Sequence, residues 1–304
     1  MATVLETIQV GLRRAGLDEN VDFYKEYGLT YLNAVIKEIE GDATWWWKFK
    51  SGSITTTKTM TLSDFGSPAA YTAGETLTGS SSSATATVVA HTAGETTLTF
   101  KSESGTFTTS DTVTESGSSG ATATYVSDTT TRLYAGANNI QALISAFNET
   151  GNTNLYIDRP RIIQRQDPDF TQAGTPCFLY PWGIDSSGIM QLALFPMDST
   201  TNETISYQYY SFTPDFVAGD YATSLDSYVH PPIQPALYFG IARLLKQQEG
   251  DDEGALIDEA EFQKVLRRAR RNNIDVLGDI VTRRQYPPMT EGSGGMYTPS
   301  EGSL

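Results

Sequence analysis

The chain has 304 residues, of which 39% are hydrophobic and 11% aromatic, and a formal net charge of −15 at pH 7. This length suits two domains of ordinary size, and the negative charge argues against a wholly basic nucleic-acid-binding surface. A single cysteine, Cys177, excludes an intrachain disulfide framework and most cysteine-ligated metals. No apolar run approaches the roughly 20 residues that cross a bilayer, and the N-terminus lacks a secretory apolar region. We therefore expect a folded protein that is made in the cytoplasm and has no membrane partner.

Two helices are predicted at the N-terminus. Thr3 and Glu6 have the spacing of a capping box, and Gly16 is a typical helix end. A second helix is predicted to begin at a cap formed by Asn20 or Asp22.

A strand is predicted over Thr44–Lys50, where the apolar pattern changes from helical spacing to alternation. Three consecutive tryptophans place indoles on both faces of that strand. Trp46 therefore packs either against a second layer of this chain or against a partner subunit, because aromatic residues are enriched at interfaces.

Residues 51–131 are rich in Ser and Thr and contain an internal repeat. The pattern that begins at Tyr71 and ends at Val88 returns between Phe107 and Tyr125. Alternating Thr and apolar residues between turns predict a small all-β unit of two similar halves, inserted into the main body. A disordered Ser/Thr linker is the alternative.

Further β structure is predicted after the insert. Residues 140–147 fit either a short helix or a strand, whereas Cys177–Tyr180, Met190–Phe195 and Thr204–Tyr210 have the pattern of three strands. Cys177 itself is interpreted as a buried small apolar residue and not as a nucleophile.

A helical pair is predicted from His230 to Asn273, with Gly250 between the two helices. Asp251–Glu253 precede the second helix and are expected to cap it. The apolar pattern of this helix is Leu256, Ala260, Phe262, Val265, Leu266 and Ala269. Its predicted last turns are crowded with bases, which the helix dipole favours there: Lys264, Arg267, Arg268, Arg270 and Arg271. A DNA-facing role for these bases is the alternative. The pair is expected to pack against the two N-terminal helices.

No catalytic, cofactor-binding or metal-binding residues are predicted. His91 and His230 lie in different modules without a Cys or a second His at ligand spacing, and no Gly-rich phosphate loop is present. We therefore expect a protein that is not an enzyme.

The predicted fold class is α+β: a helical bundle from the N- and C-terminal helices with a small antiparallel β element, an inserted all-β domain and an extended C-terminal tail. The corresponding segments are residues 1–50, 51–131, 132–280 and 281–304. The last segment cannot pack a core of its own, but its apolar residues suit docking on a partner; a disordered end is the alternative.

Several segments carry a family resemblance through their order in the chain: Leu32–Ile39 leading to Trp45–Phe49, then Gly174–Tyr180, Leu192–Asp198, Ile205–Tyr210 and Pro235–Leu245. In this order they resemble the head-to-tail adaptor (connector) proteins of tailed bacteriophages. The resemblance covers roughly residues 1–50 and 132–280.

The resemblance implies a structural protein of the virion, located at the head–tail junction. Such a protein forms a ring, twelvefold like the portal protein that it binds, and provides a platform for the next tail or nozzle protein. Double-stranded DNA passes through the ring without specific binding. The implied portal-binding residues are Arg283, Arg284, Tyr286, Pro287, Pro288, Met289, Met296 and Tyr297, and our candidates for the subunit interface are Trp46, Arg267, Arg268 and Arg271.

Two other functions remain open. The β insert could bind glycans on a host surface, in which case Tyr71, Phe100, Phe107 and Tyr125 are the candidate aromatic residues. A cell-wall hydrolase is the third hypothesis.

Overall fold

The computed structural model describes residues 2–66, 70–117, 120–157, 172–198 and 203–284, with side chains up to residue 273. Contacts divide the chain into two compact units. We call them the helical unit (residues 1–47 and from 215 onward) and the β unit (residues 48–214). The predicted α+β class is confirmed, and a closed barrel fits the predicted all-β insert. Within the described ranges, no helix is long and apolar enough to cross a membrane.

The described residues of the helical unit form four α-helices: α1 Val4–Ala15, α2 Asp22–Asp42, α3 Gln234–Glu249 and α4 Asp252–Arg284. The predicted capping box of α1 is confirmed, since Thr3 Oγ1 accepts from the Glu6 amide and Glu6 accepts from the Thr3 amide. Gly16 and Gly250 end α1 and α3 with φ of 83° and 81°, a conformation in which glycine carries no Cβ penalty.

The predicted cap of α2 is wrong. Val21 occupies the cap position and makes no side-chain hydrogen bond there. Asp22 is already the first helical residue and pairs with Lys25, while the Asn20 side chain bonds to Asp18.

One apolar core holds the four helices together. Each helix contributes a row at 3-and-4 spacing, so that all four stripes meet. The fully buried members include Val4, Ile8, Leu12, Leu32, Val35, Leu237, Ile241 and Phe262. The expected packing of the terminal helices against each other is therefore confirmed.

Helix α4 is longer than predicted, with 33 residues and an end at Arg284 instead of near Asn273. Arg283 and Arg284 thus belong to a helix and not to an extended segment. The bases at 264–271 lie in the middle of α4, so the helix dipole does not explain them. The prediction that Leu256 belongs to the apolar stripe of this helix is wrong. The buried row runs through Ala255 and Phe262, and Leu256 lies on the adjacent face, where it is 69% exposed.

The predicted strand over Thr44–Lys50 is also wrong. A short 3-10 helix spans Trp46–Lys48, and strand β1 begins only at Phe49. The indole of Trp45 donates to the Ile39 carbonyl at 2.6 Å, which turns the backbone back toward the end of α2. Packing against a helix thereby overrides the alternating pattern.

The β unit contains a seven-stranded sheet in the order β1-β13-β9-β10-β11-β12-β8, where only the pair β10 and β11 is parallel among the described strands. Its strands are β1 Phe49–Thr55, β8 Leu133–Ala135, β9 Ile140–Asn148, β10 Thr153–Ile157, β11 Phe178–Ile184, β12 Met190–Phe195 and β13 Thr204–Ser211. The three predicted strands are confirmed, and the ambiguous segment at 140–147 is a strand. The sheet is larger than the predicted small antiparallel element, because strands before and after the insert pair with each other.

Cys177 is exposed immediately before β11, so its predicted burial is wrong. Its Sγ lies 3.6 Å from the Phe195 carbonyl oxygen. Desolvation of the sulfur raises the pKa of the thiol, which disfavours the nucleophilic thiolate at neutral pH.

The insert is a closed six-stranded barrel in the order β2-β5-β4-β3-β6-β7. Its strands are β2 Lys58–Ser63, β3 Thr76–Gly79, β4 Thr85–His91, β5 Thr97–Ser104, β6 Thr112–Glu115 and β7 Thr122–Thr130. The chain leaves the seven-stranded sheet after β1 and returns to it at β8, which is the topology of an insertion.

Two equivalent halves form the barrel, β3-β4-β5 and β6-β7-β2. Strand β2 precedes the repeat in sequence yet takes the place that β5 has in the first half. Leu98 and Phe100 of β5 correspond to Met60 and Leu62 of β2, and all four are buried. The pairing registers skip Val89 and Val126, so equivalent β-bulges occur in both halves.

Candidate interaction surface

Three tryptophans from the connection after α2 and one histidine from the segment before α3 form an aromatic cluster in the helical unit. Trp45 is fully buried and stacks on Trp47, with ring centroids 4.6 Å apart. Trp47 stacks on His230 at 5.7 Å, and Trp46 meets the same imidazole edge-on at 5.0 Å. Burial lowers the pKa of His230, which keeps the ring neutral near pH 7.

Asn273 fixes this cluster from α4. Its side-chain amide donates to the Thr44 carbonyl at 2.8 Å and accepts from the Trp46 amide at 2.9 Å. The connection after α2, the segment before α3 and the middle of α4 are thus tied together. The half-buried Trp46 is engaged within its own chain, and its role at a subunit interface stays a prediction.

Buried ion pairs connect the helices elsewhere. Asp258 of α4 is fully buried and lies 2.5 Å from Arg14 Nε of α1 and 2.8 Å from Lys246 Nζ of α3. A charge in this position needs such partners, because an unpaired buried carboxylate is strongly unfavourable.

Arg243 of α3 forms a second network with Glu38 of α2 and Glu259 of α4. Burial alone would lower the pKa of Arg243, but the hydrogen bonds that Arg243 donates to both carboxylates raise it. Burial likewise favours a higher pKa for Glu259, and the hydrogen bond from Arg243 outweighs it, so that the pKa of Glu259 is lowered. Both networks stabilise the bundle.

Arg267, Arg268 and Arg271 have a different environment. All three are exposed on α4, and among the described side chains none forms an ion pair with them. Arg267 Nε donates a hydrogen bond to the Gln263 carbonyl of the same helix. The spacing of 3 and 4 residues places the three guanidinium groups on one outer face. They are therefore free to contact another molecule.

A cleft of about 420 Å³ lies beside this face. Its apolar side chains include Pro232 before α3, Pro235 and Phe239 in the first two turns of α3, and Val265 of α4. Arg268 lines the cleft, as does the ion pair between Glu261 and Lys264. The cleft thus combines apolar side chains with one arginine that has no ion-pair partner among the described side chains.

The opposite end of α4 is acidic and apolar. Asp251 caps the helix by accepting from the Gly254 amide at 3.0 Å, so the predicted capping role of the acidic run is confirmed for this residue. Asp252 and Glu253 are exposed in the first turn. Leu256 and Ile257 follow on the outer surface, where they are 69% and 59% exposed. Exposed neighbouring aliphatic side chains are a typical feature of contact surfaces.

The predicted portal-binding residues are only partly covered by the structure. Arg283 and Arg284 are the last two residues of α4. The others lie outside the described residues: Tyr286, Pro287, Pro288, Met289, Met296 and Tyr297.

The sequence interpretation missed the ion-pair networks. Asp258 occupies a position of the buried row of α4, four residues before Phe262. A lone acid at a core position of an apolar stripe is a signal that could have indicated a buried ion pair.

The barrel does not present the aromatic surface that the glycan hypothesis needs. Tyr71, Phe100, Phe107 and Tyr125 are all buried, with exposed fractions of 6% or less. The buried Asp111 has a structural role, since its carboxylate accepts from the amides of residues 81, 82 and 108. A hydrogen bond from the Ser82 side chain, together with those from the amides, lowers the pKa of Asp111.

No protein-family profile matches this sequence, and no curated protein matches it. Function must therefore be argued from the residues and their geometry.

Proposed function

We propose that this chain is a structural virion protein that forms a head-to-tail adaptor ring of a tailed bacteriophage. The ring binds beneath the portal protein, lengthens the DNA channel and provides the attachment platform for the next tail protein. The order of sequence segments is the origin of this proposal. One structural observation supports it best. Helix α4 packs in a bundle with helices that are distant in sequence, and it continues from this bundle to Arg284.

The proposed mechanism is binding without turnover. Helix α4 has 33 residues and is about 50 Å long. Its side chains contribute to the bundle core as far as Ala269, and Asn273 makes the last described contact. The predicted portal-binding residues follow on the same helix and beyond it. A rigid helix lowers the entropic cost of docking, because ordering a free residue costs about 1–2 kcal/mol.

Multiple copies strengthen such an attachment. In a ring, each copy places one C-terminal segment against the portal, so the individual contacts can be weak while the ring is held firmly. The net charge of −15 suits a channel wall that DNA passes without adhering to it, if the acidic side chains face the lumen.

Co-sedimentation with the portal ring of the same phage tests the proposal. We would compare the full chain with chains that end at Arg284 and at Gly278. The full chain is expected to sediment with the portal, and the chain ending at Gly278 is expected to remain free. The chain ending at Arg284 separates the contribution of residues 279–284, which include Arg283 and Arg284, from that of residues 285–304.

Two results would contradict parts of this proposal. Undiminished binding by the chain ending at Gly278 would remove the C-terminal docking mechanism. Failure of the full chain to bind the portal, together with its absence from purified virions, would remove the adaptor function itself. A clearing zone in a zymogram of the purified protein would instead favour the hydrolase hypothesis.

A further inference from the structure

The outer face of α4 changes its chemistry along the helix. With 100° per residue, Glu253, Ile257, Lys264, Arg268 and Arg271 all project within a narrow sector. Acids lie at the beginning of this face, aliphatic residues follow, and bases lie further along. The face therefore carries two chemically opposite surfaces on one helix.

We call the first surface the acidic end: Asp252, Glu253, Leu256 and Ile257. The two aliphatic side chains are largely exposed, and neither belongs to the core of the helical unit. Asp252 and Glu253 have no ion-pair partner among the described side chains. The acidic end therefore offers two apolar anchors next to two unpaired negative charges.

We call the second surface the basic groove. It consists of the cleft beside Arg268 and of Arg271, which lies three residues further along α4 on the same face. The apolar residues that line the cleft include Pro232, Pro235, Phe239 and Val265. Glu261 also lines it, but its charge is paired with Lys264. The volume of about 420 Å³ is large enough to hold aliphatic side chains. The arginines of the groove carry no ion pair within the part of the chain that the structure describes. The negative charges of the acidic end thus match the arginines of the basic groove, and its aliphatic side chains match the apolar residues that line the groove.

We infer that the acidic end of one copy of this chain docks into the basic groove of the next copy. This inference rests on the proposed function and specifies the surface by which the ring closes. The two surfaces differ from each other, so the contact is heterologous, and a heterologous contact forms a ring when its rotation closes. Charge complementarity sets the orientation of the contact, and the aliphatic residues provide the buried area.

A nucleic acid is a poorer occupant of the same groove. Phosphates would match Arg268 and Arg271, but they would leave the apolar residues of the groove without a partner. The exposed Leu256 and Ile257 would also stay uncovered. A second copy satisfies both surfaces at once.

A charge-swap experiment tests the inference on the full chain. One variant carries Arg268→Glu and Arg271→Glu; the other carries Asp252→Lys and Glu253→Lys. Native mass spectrometry and analytical ultracentrifugation measure assembly of each variant alone and of an equimolar mixture. Lys50→Glu with Lys101→Glu is the matched control for the arginine variant, because it makes the same change in net charge on the β unit.

We expect the wild-type chain and the control to form rings at the same concentration. Each swapped variant alone should need at least a tenfold higher concentration, since like charges then face each other. The mixture should assemble like the wild type, because every contact in an alternating ring is again complementary. Leu256→Asp, at an exposed position that does not affect the core, should weaken assembly without a change in the circular dichroism spectrum.

Several results would overturn the inference. Unchanged assembly of the swapped variants, no rescue in the mixture, or a wild type that stays monomeric or stops at a dimer would each do so. Normal assembly of the arginine variant with loss of retention on double-stranded DNA would assign the groove to DNA instead. None of these results decides portal binding, so the adaptor proposal is tested separately by co-sedimentation.

Discussion

Arg14 of α1 and Asp258 of α4 are 244 positions apart in sequence, yet Arg14 Nε lies 2.5 Å from a carboxylate that has no exposed surface. Lys246 approaches the other oxygen of that carboxylate at 2.8 Å. One buried acid therefore joins three of the four helices.

Replacing Asp258 by Asn should destabilise the helical unit strongly. Two cations would lose their shared partner, and breaking a buried pair costs about 3–5 kcal/mol, which partial exposure of Arg14 reduces to about 2–4 kcal/mol. Urea denaturation measures the loss. Glu261→Gln, which breaks the exposed pair with Lys264, is the control and should change stability by less than about 1 kcal/mol. Equal effects of both substitutions would contradict a special role for Asp258.

Gly240→Ala should also destabilise the helical unit, although alanine is the better helix former. A Cβ at Gly240 would lie 2.6 Å from Val35 Cγ1, and such overpacking costs about 1–3 kcal/mol. Combining it with Val35→Ala should cost less than the sum of the two single changes, because the clash is removed. Gly41→Ala, where the new Cβ meets nothing within 4 Å, should be neutral or slightly stabilising. Additive effects at positions 240 and 35 would argue against the close approach of α2 and α3.

His230 should make the stability of the helical unit dependent on pH. Burial lowers its pKa in the folded state, so the unfolded chain binds more protons as pH falls below about 6.5. Stability should be complete above that pH and should decline below it until the folded-state pKa is passed. His230→Phe keeps the stacking on Trp47 but removes the proton. Its melting temperature should change less between pH 7 and 5.5 than that of the wild type, and an identical slope in both proteins would exclude His230 as the source.

The barrel should fold by itself when β2 is included. Residues 57–131 contain all six strands and a separate apolar core, and closure leaves no open sheet edge. We expect a cooperative thermal transition in circular dichroism. Residues 64–131 contain the complete sequence repeat but lack β2, so the core loses Met60 and Leu62 and two edges open. Cooperative folding of this shorter fragment would contradict the role of β2 as the sixth strand.

Features that depend on neighbouring residues could be predicted from the sequence. The capping box at Thr3, the glycine ends of α1 and α3 and the repeat inside the barrel are all encoded within a few residues or one repeat length. Local hydrogen bonds and left-handed glycines act over such distances, which is why these elements were predictable.

Several features that depend on residues far apart in the sequence could not be predicted, because they arise from packing. The segment around Trp45 has an alternating pattern, but the Trp46 amide donates to Asn273, 227 positions away, and this contact helps to hold the segment out of a strand. Strand β2 lies before the sequence repeat, so the repeat does not reveal that β2 belongs to the barrel. Its partners β5 and β7 lie dozens of residues later in the chain. The acid at position 258 falls on the apolar stripe of α4, but the sequence does not show which cations meet it, nor that the arginines at 267, 268 and 271 meet no acid among the described side chains. Burial by other helices pairs the first and leaves the others free, since the free energy of a charge depends on what surrounds it.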